Sequence, residues 1–207
     1  MLAILLFGMQ GTPYIYQGQE LGMTNVDYTL EDYRDIRALN HIREMRAEGY
    51  SEAEILHSLH TVSRDNARTP MQWSAAENAG FTKGKPWLRV NPNYRTINAE
   101  AQVNDTDSVY ACYRALISLR KKHPAFADGR YELLLPEHEE IIAYTRTDAE
   151  EELLVICNFY DHTLQNPLDA ETAGMRLLLS DYPDCRETET LRPYEARIYH
   201  RTRTGKR

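Results

Sequence analysis

Gly11-Thr12-Pro13-Tyr14-Ile15-Tyr16-Gln17-Gly18-Gln19-Glu20-Leu21-Gly22-Met23 is the stretch on which the reading of the fold turns. Tyr14-Ile15-Tyr16 is a short apolar run after Gly11 and Pro13, the pattern of a buried strand. Gly18 and Gly22 bracket a polar loop directly behind it. A strand that ends in such a loop resembles the C-terminal end of a barrel strand, and in TIM barrels that face carries the active site. Upstream, Leu2-Ala3-Ile4-Leu5-Leu6-Phe7 has no basic residue before it and no small-residue cleavage site after it, which argues against a signal peptide. It is also far short of the ~20 residues a membrane span needs. It reads as the end of a buried helix that turns through Gly8 to Pro13 into the strand. A chain that starts inside a core element is expected to be part of a longer one.

Downstream, Ile36, Leu39, Ile42 and Met45 recur at helical spacing over residues 32–48, with Gly49 as a stop. Ser51 and Glu54 form a capping-box pattern, and Ile55, Leu56, Leu59 and Val62 continue one face. Residues 63–104 are rich in Asn, Pro and Gly and read as long irregular loops. Residues 107–122 give the clearest helix. Val109, Cys112, Tyr113, Leu116 and Ile117 form its apolar stripe. Asp107 stands at its start and Arg120, Lys121, Lys122 and His123 at its end, as the helix dipole favours. Pro124 stops it.

After residue 129 the period changes from helix to strand. Tyr131–Leu135, Ile141–Arg146, Leu153–Asn158, Met175–Ser180, Thr188–Leu191 and Ala196–His200 read as short strands separated by turns such as Pro136-Glu137-His138. No crossover helix intervenes, so the sheet is expected to be antiparallel. The expected boundary therefore lies between residues 1–129 and 130–207.

The chain has 207 residues, 24 basic against 31 acidic, for a net charge of −7. This speaks against nucleic acid or an anionic membrane as partner, since both reward clustered positive charge. The basic tail of Arg201, Arg203, Lys206 and Arg207 reads as a solvated end. Cys112, Cys157 and Cys185 are odd in number and widely spaced, with neither a disulfide framework nor zinc spacing. Cys112 and Cys157 read as small core residues, and a reducing cytoplasm fits best.

No complete catalytic site is legible. Glycoside hydrolysis needs two carboxylates facing each other across the scissile bond, and the spacing of the acids marks no pair. There is no Gly-x-Ser-x-Gly elbow, P-loop, dinucleotide fingerprint or His-Glu-x-x-His. His138-Glu139-Glu140 is too short for a metal site and reads as an exposed turn. Fourteen tyrosines and two tryptophans are many for this length. Flat aromatic faces suit sugar rings, though most such residues serve ordinary packing.

Arg64-Asp65-Asn66-Ala67-Arg68-Thr69-Pro70-Met71-Gln72-Trp73 adds a second long motif. Together with Gly11–Met23 it resembles the C-terminal part of an α-glucosidase of glycoside hydrolase family 13. The oligo-1,6-glucosidase and dextran glucosidase branch, near trehalose-6-phosphate hydrolase and sucrose isomerase, fits best. Asp32-Tyr33-Arg34-Asp35-Ile36, Ala79-Gly80-Phe81-Thr82, Pro86-Trp87, Val90-Asn91-Pro92-Asn93-Tyr94 and Leu191-Arg192-Pro193-Tyr194-Glu195-Ala196 extend the resemblance over the whole chain.

The resemblance implies an α/β region followed by an all-β region. The first would be the last barrel strand, a long helical excursion and the last helix; the second, a small antiparallel β-sandwich. It implies that Arg64 lines the −1 subsite and contacts the 4-hydroxyl of the terminal glucose, with a planar fork suited to hold a carboxylate and a hydroxyl at once. Pairing of Arg64 with Asp65 or another loop acid is the plain alternative. Arg68, Gln72 and Trp73 are expected to brace the loop. Glu20, behind the strand, and Arg37 are further candidates for substrate contact. Gln19 and Arg37 depart from the family, which usually has Glu at both places. Arg at 37 makes an anionic group in the +1 subsite conceivable, with a surface role as the bland reading. The family's nucleophile Asp, acid/base Glu and stabilising Asp match nothing here, so no catalytic residue is carried over. The chain alone is expected to be inert, to need no cofactor or metal, and to act on an oligosaccharide only together with the rest of the barrel. The runner-up reading is a non-catalytic folded or sugar-binding module. Residues 1–104 are expected to be partly mobile, rearranged, or buried by self-association through exposed barrel surface.

Overall fold

Local signals place most of the elements. In a computed structural model that describes residues 1–185 and 188–203, the helices are α1 (Leu2–Gly8), α2 (Ile36–Ala47), α3 (Glu52–Val62), α4 (Ala99–Gln102), α5 (Val109–Lys122), α6 (Ala125–Asp128) and α7 (Asp169–Thr172). The strands are β1 (Arg130–Leu134), β2 (Ile141–Thr147), β3 (Glu151–Asn158), β4 (Leu164–Gln165), β5 (Arg176–Ser180), β6 (Thr190–Leu191) and β7 (Ala196–Thr202). Lys206 and Arg207 of the basic tail lie outside the described residues. None of the described helices is long and apolar enough to cross a membrane.

By contacts the chain divides into two compact units, Met1–Tyr14 with Cys112–Arg207, and Ile15–Ala111. The first is organised by a five-stranded antiparallel sheet of order β1-β2-β3-β7-β5. β3 is its centre, and its apolar run from Leu153 to Cys157 is buried throughout. Alternation sends successive residues to opposite faces. Leu153, Val155, Cys157, Ala196 and Ile198 pack with Ile4, Leu5 and Phe7 of α1, Tyr113 and Leu116 of α5 and Phe126 of α6. Each large aliphatic or aromatic side chain so buried contributes roughly 2 kcal/mol. Leu154, Ile156 and Tyr199 join a second cluster with Leu168, Leu191 and Leu164. Leu164 and Leu191 belong to the two-stranded ribbon β4-β6. β4, at two residues, is too short to show a period in the sequence. β5 and β7 slip register between Leu177 and Leu179, where a bulge bends the edge strand.

Two arginines finish α1, whose last turn has no basic residue of its own. Arg120 donates to the Phe7 and Met9 carbonyls at 2.6 and 2.9 Å and also reaches Gly11. Arg146, wholly buried, donates to the carbonyls of Gly129 at 2.6 Å, Ala127 at 3.4 Å and Gly8 at 3.5 Å. The Leu191–Ala196 motif is a structural turn. Tyr194 takes a left-handed conformation at φ 54°. Buried Glu195 accepts from the Arg192 amide at 2.7 Å and from Arg197 Nε at 2.8 Å.

In the second unit, α2 and α3 form a helical pair around Ala38, Ile42, Ile55 and Leu59, with Val26, Tyr28, Leu30 and Tyr33 in the same cluster. Gly49, at φ 88°, ends α2: its amide donates to the Arg46 carbonyl at 3.2 Å and that of Tyr50 to Met45 at 3.0 Å, a Schellman closure. The Ser51–Glu54 capping box is present, with Ser51 N–H to Glu54 at 2.8 Å and Glu54 N–H to Ser51 Oγ at 3.3 Å. Residues 63–104 hold short 3-10 turns at Arg64–Arg68, Glu77–Gly80 and Pro92–Arg95 and the single turn of α4.

Three expectations are corrected. Tyr14-Ile15-Tyr16 belongs to no strand, and Tyr14 and Tyr16 are exposed. A barrel strand is held by ladders on both sides, and among the described residues no segment pairs with it. Ile36 and Leu39 of α2 face outward, because Ala38, Ile42 and Met45 form the narrower stripe. In α1 the burial is one-sided: Leu2 and Leu6 are exposed.

Candidate functional site

The candidate site grows out of the junction of Tyr33–Asp35 with the Ser63–Arg68 turn. Ser63 starts that turn by accepting from the Asp65 amide at 3.2 Å. Asp65 is fully buried, and its carboxylate accepts the Arg34 amide at 2.7 Å and the Asp35 amide at 2.9 Å. Two main-chain donors some thirty positions upstream are thus fixed by one side chain. That places Asp35 as the N-cap of α2, where its Oδ1 accepts the Arg37 amide at 2.7 Å.

Arg64 meets the same carboxylate as a fork, with Nε to Oδ2 at 2.8 Å and Nη2 to Oδ1 at 3.0 Å. Bidentate guanidinium–carboxylate pairs fix orientation as well as charge. Arg68 closes the network, reaching Asp35 and donating to Asp65 Oδ1 at 2.7 Å. Its guanidinium lies 5.4 Å from the Trp87 ring centroid, in cation–π range. The hydrogen bond from Arg64 holds the Asp35 carboxyl at about 2, below its ordinary 3.8, so it is charged at neutral pH. Nearby, burial together with the charge of Asp65 pushes the Tyr28 phenol up to about 12.

The Arg64 side chain is 54% exposed while Asp35 is shut in, so the pair presents a guanidinium and hides the acid. Among the described residues Arg64 Nη1 has no hydrogen-bond partner. A cavity of about 430 Å³ opens there, lined by Arg64, Arg37, Asp35, Asn40, His41 and Glu44. A second cavity of about 460 Å³ is lined by Tyr16, Gln17, Thr24, Asn25, Asn66 and Ala67. Gly18 shapes its wall: at φ 87° it has no room for a Cβ, which would come 2.5 Å from Met23 Sδ. The Tyr16 hydroxyl donates to the Ala67 carbonyl at 2.7 Å.

The structure therefore brings Arg64 and Arg37 to one cavity and leaves Glu20 apart. Glu20 lies in the short turn Gln19–Leu21 and lines neither cavity, and its buried Oε2 has no partner among the described residues. Arg64 does pair with an acid, Asp35 rather than its neighbour Asp65. Arg68 and Gln72 brace the loop; Gln72 is buried and donates to Asn93 Oδ1 at 3.1 Å. Trp73 braces only through its backbone, donating to Ala79 at 2.9 Å and accepting from Glu100 at 3.0 Å, while its indole is exposed. The sequence offers Asp65 only as a possible partner for Arg64; its hold on the Arg34 and Asp35 amides, and the role of Asp35, are not legible in it. The available signal for Asp35 was an Asp immediately before an apolar-periodic helix.

Residues 1–129 match the family model for the α-amylase catalytic domain. The chain is 46% identical over 206 residues to an oligo-1,6-glucosidase of Halalkalibacterium halodurans, covering 96% of this chain and 37% of that protein. A crystal structure of Bacillus licheniformis trehalose-6-phosphate hydrolase superposes with a TM-score of 0.90 at 44% identity, over 98% of this chain and 38% of that one. Isomaltulose synthase from Klebsiella sp. LX3 follows with a TM-score of 0.88 at 36% identity, over 98% and 37%. The chain thus spans little more than a third of the length of the relatives it matches. The long motifs around Tyr14 and Arg64 and the matched fold lead to one conclusion: this chain belongs to the α-amylase family, glycoside hydrolase family 13.

Proposed function

We propose that the chain is the C-terminal part of a retaining α-glucosidase that releases terminal α-1,6-linked glucose from isomalto-oligosaccharides. In this reading residues 1–129 complete the catalytic TIM barrel, with the stretch around Tyr14 as its last strand once barrel neighbours flank it. Residues 130–207 form the C-terminal β-sandwich, whose two layers would be the five-stranded sheet and the β4-β6 ribbon. The nucleophile and the acid/base carboxylates come from the other barrel segments, so the isolated chain turns nothing over. Surface left uncovered around Leu2, Leu6, Tyr14 and Tyr16 would favour self-association in their absence.

The observation that carries the reading is the Asp35–Arg64 fork. It is a preorganised guanidinium, locked by a buried acid and half exposed at a cavity, as a hydroxyl-recognising subsite requires. A second reading, hydrolysis of trehalose 6-phosphate, is favoured by Arg37 at the same cavity. A second exposed guanidinium there suits a phosphorylated leaving group. Glu20, apart from both cavities, would act only through the loop it sits in.

The test is complementation. The purified 207-residue chain is assayed on p-nitrophenyl α-glucoside alone, and again with the N-terminal barrel segments of a related oligo-1,6-glucosidase. Activity only in the mixture, lost with Arg64→Ala, is expected. Isomaltose against trehalose 6-phosphate then separates the two readings. Turnover by the chain alone that survives repurification would overturn the assignment of the catalytic acids to other segments.

A further inference from the structure

Away from the cavities, one side-chain cluster gathers metal-ligating atoms from three elements. His123 follows the last turn of α5, Glu151 opens β3 and His200 lies in β7. Glu151 stands opposite Thr202 and Leu153 opposite His200, so Glu151 and His200 are diagonal neighbours on one face of the sheet. His123 Nδ1 is 2.6 Å and His200 Nε2 3.1 Å from the same oxygen, Glu151 Oε2. All three ligand atoms lie within 4.8 Å of one another. The other oxygen, Oε1, accepts the Ala125 amide at 3.3 Å, which turns Oε2 toward the imidazoles. The three side chains are only 11–15% exposed, and Phe126 packs edge-on against the His123 ring.

We propose that His123, Glu151 and His200 bind a divalent transition-metal ion of the zinc type, stapling the end of α5 to β3 and β7. Two imidazoles and one carboxylate are a borderline nitrogen–oxygen donor set, which suits zinc over magnesium or calcium. A tetrahedral zinc at ~2.0–2.2 Å from each donor sets donor separations of roughly 3.4 Å, so the 2.6 and 3.1 Å contacts with Oε2 must lengthen toward that value, with all three atoms already within 4.8 Å of one another. Water takes the fourth position. Each imidazole would ligate through the nitrogen that now faces Oε2, and Glu151 through Oε2 itself. The Ala125 amide and the Phe126 ring already fix the carboxylate and one imidazole, the support by which a metal site keeps its ligands oriented.

The experiment uses the full chain stripped with EDTA, dialysed against graded ZnCl₂ and assayed for bound zinc by mass spectrometry. One zinc per chain at micromolar concentration is expected. With zinc about a hundredfold above its dissociation constant, Tm rises by several degrees. His123→Gln and His200→Gln keep an amide that can donate to Glu151 but ligate zinc poorly, and each weakens binding by ~100-fold or more. Cobalt in place of zinc gives the visible bands of a tetrahedral nitrogen–oxygen site without thiolate charge transfer, a readout that needs no variant. No binding up to 100 μM zinc (a range set by roughly −5.5 kcal/mol of affinity) would leave a purely hydrogen-bonded cluster and overturn the proposal. So would zinc retained undiminished in both Gln variants, or a thiolate spectrum.

Discussion

Asp65→Ala removes the acceptor that joins the two halves of the candidate site, and its cost can be worked from the geometry. The Asp35 amide is buried and loses a 2.9 Å bond; the Arg34 amide is partly buried and loses one of 2.7 Å. A buried donor left unpaired costs about 1–3 kcal/mol. The Arg68 pair contributes less than about 1 kcal/mol, because its guanidinium still reaches Asp35 and is partly in solvent. The sum is about 3 kcal/mol, a large share of the roughly 5–15 kcal/mol that holds a typical domain folded. Trp73 and Trp87 both fall within Ile15–Ala111 and are the chain's two tryptophans, so urea unfolding followed by tryptophan fluorescence reports this unit alone. The midpoint is expected to fall by about 1–2 M urea. Asp65→Asn keeps one accepting oxygen and loses about half as much. A loss under about 0.5 kcal/mol for Asp65→Ala would refute the account of Asp65 as the residue that positions Asp35.

Three further outcomes follow from particular residues. The Asp35 carboxyl titrates at about 2 in the fold against an ordinary 3.8, so the unfolded chain takes its proton first. This contribution to stability is complete above about pH 4 and is lost as pH falls toward 2; Asp35→Asn should flatten that slope in the fluorescence-detected midpoint, and an unchanged slope would contradict the pairing. At Gly8 an added Cβ runs into the Tyr144 hydroxyl and comes 2.9 Å from Val155 Cγ2, so Gly8→Ala costs about 1–3 kcal/mol by thermal unfolding, and Tyr144→Phe in the same chain recovers part of it. Burial pushes the Cys157 thiol up to about 12, so it resists Ellman's reagent at pH 8 until urea is added; labelling within minutes in the native state would show the β3 core to be open.

Signals confined to a few neighbouring residues were legible in the sequence. The Ser51–Glu54 capping box, the Gly49 stop, the 109–122 helix and the antiparallel strands after residue 129 each depend on side chains within one or two turns of chain. Properties set by distant partners were not. Tyr14-Ile15-Tyr16 has strand composition, but a strand exists only in a ladder, and composition does not supply the neighbour. The outward turn of Ile36 and Leu39 reflects which of two apolar stripes α3 covers. At the site, Arg64 was singled out through its motif, yet the acid that holds it stands 29 positions away and is delivered by Asp65 through backbone amides. No periodicity links such positions. The His123–Glu151–His200 cluster is likewise a product of sheet register and a helix end.

Arg146 shows what such distance effects do to the interpretation of variation. Its guanidinium is wholly enclosed and meets main-chain carbonyls of Gly8, Ala127 and Gly129. Its counter-charge is thus assembled from the negative ends of peptide dipoles. Lysine carries the same charge but cannot span three carbonyls from one point, and methionine fills the volume but orphans them. A saturation-mutagenesis map of this chain would therefore score position 146 as intolerant as any sugar-contacting arginine. Ranking positions by intolerance alone would enter a folding residue among the candidates for recognition, and only a readout of folded protein alongside activity tells the two kinds of arginine apart.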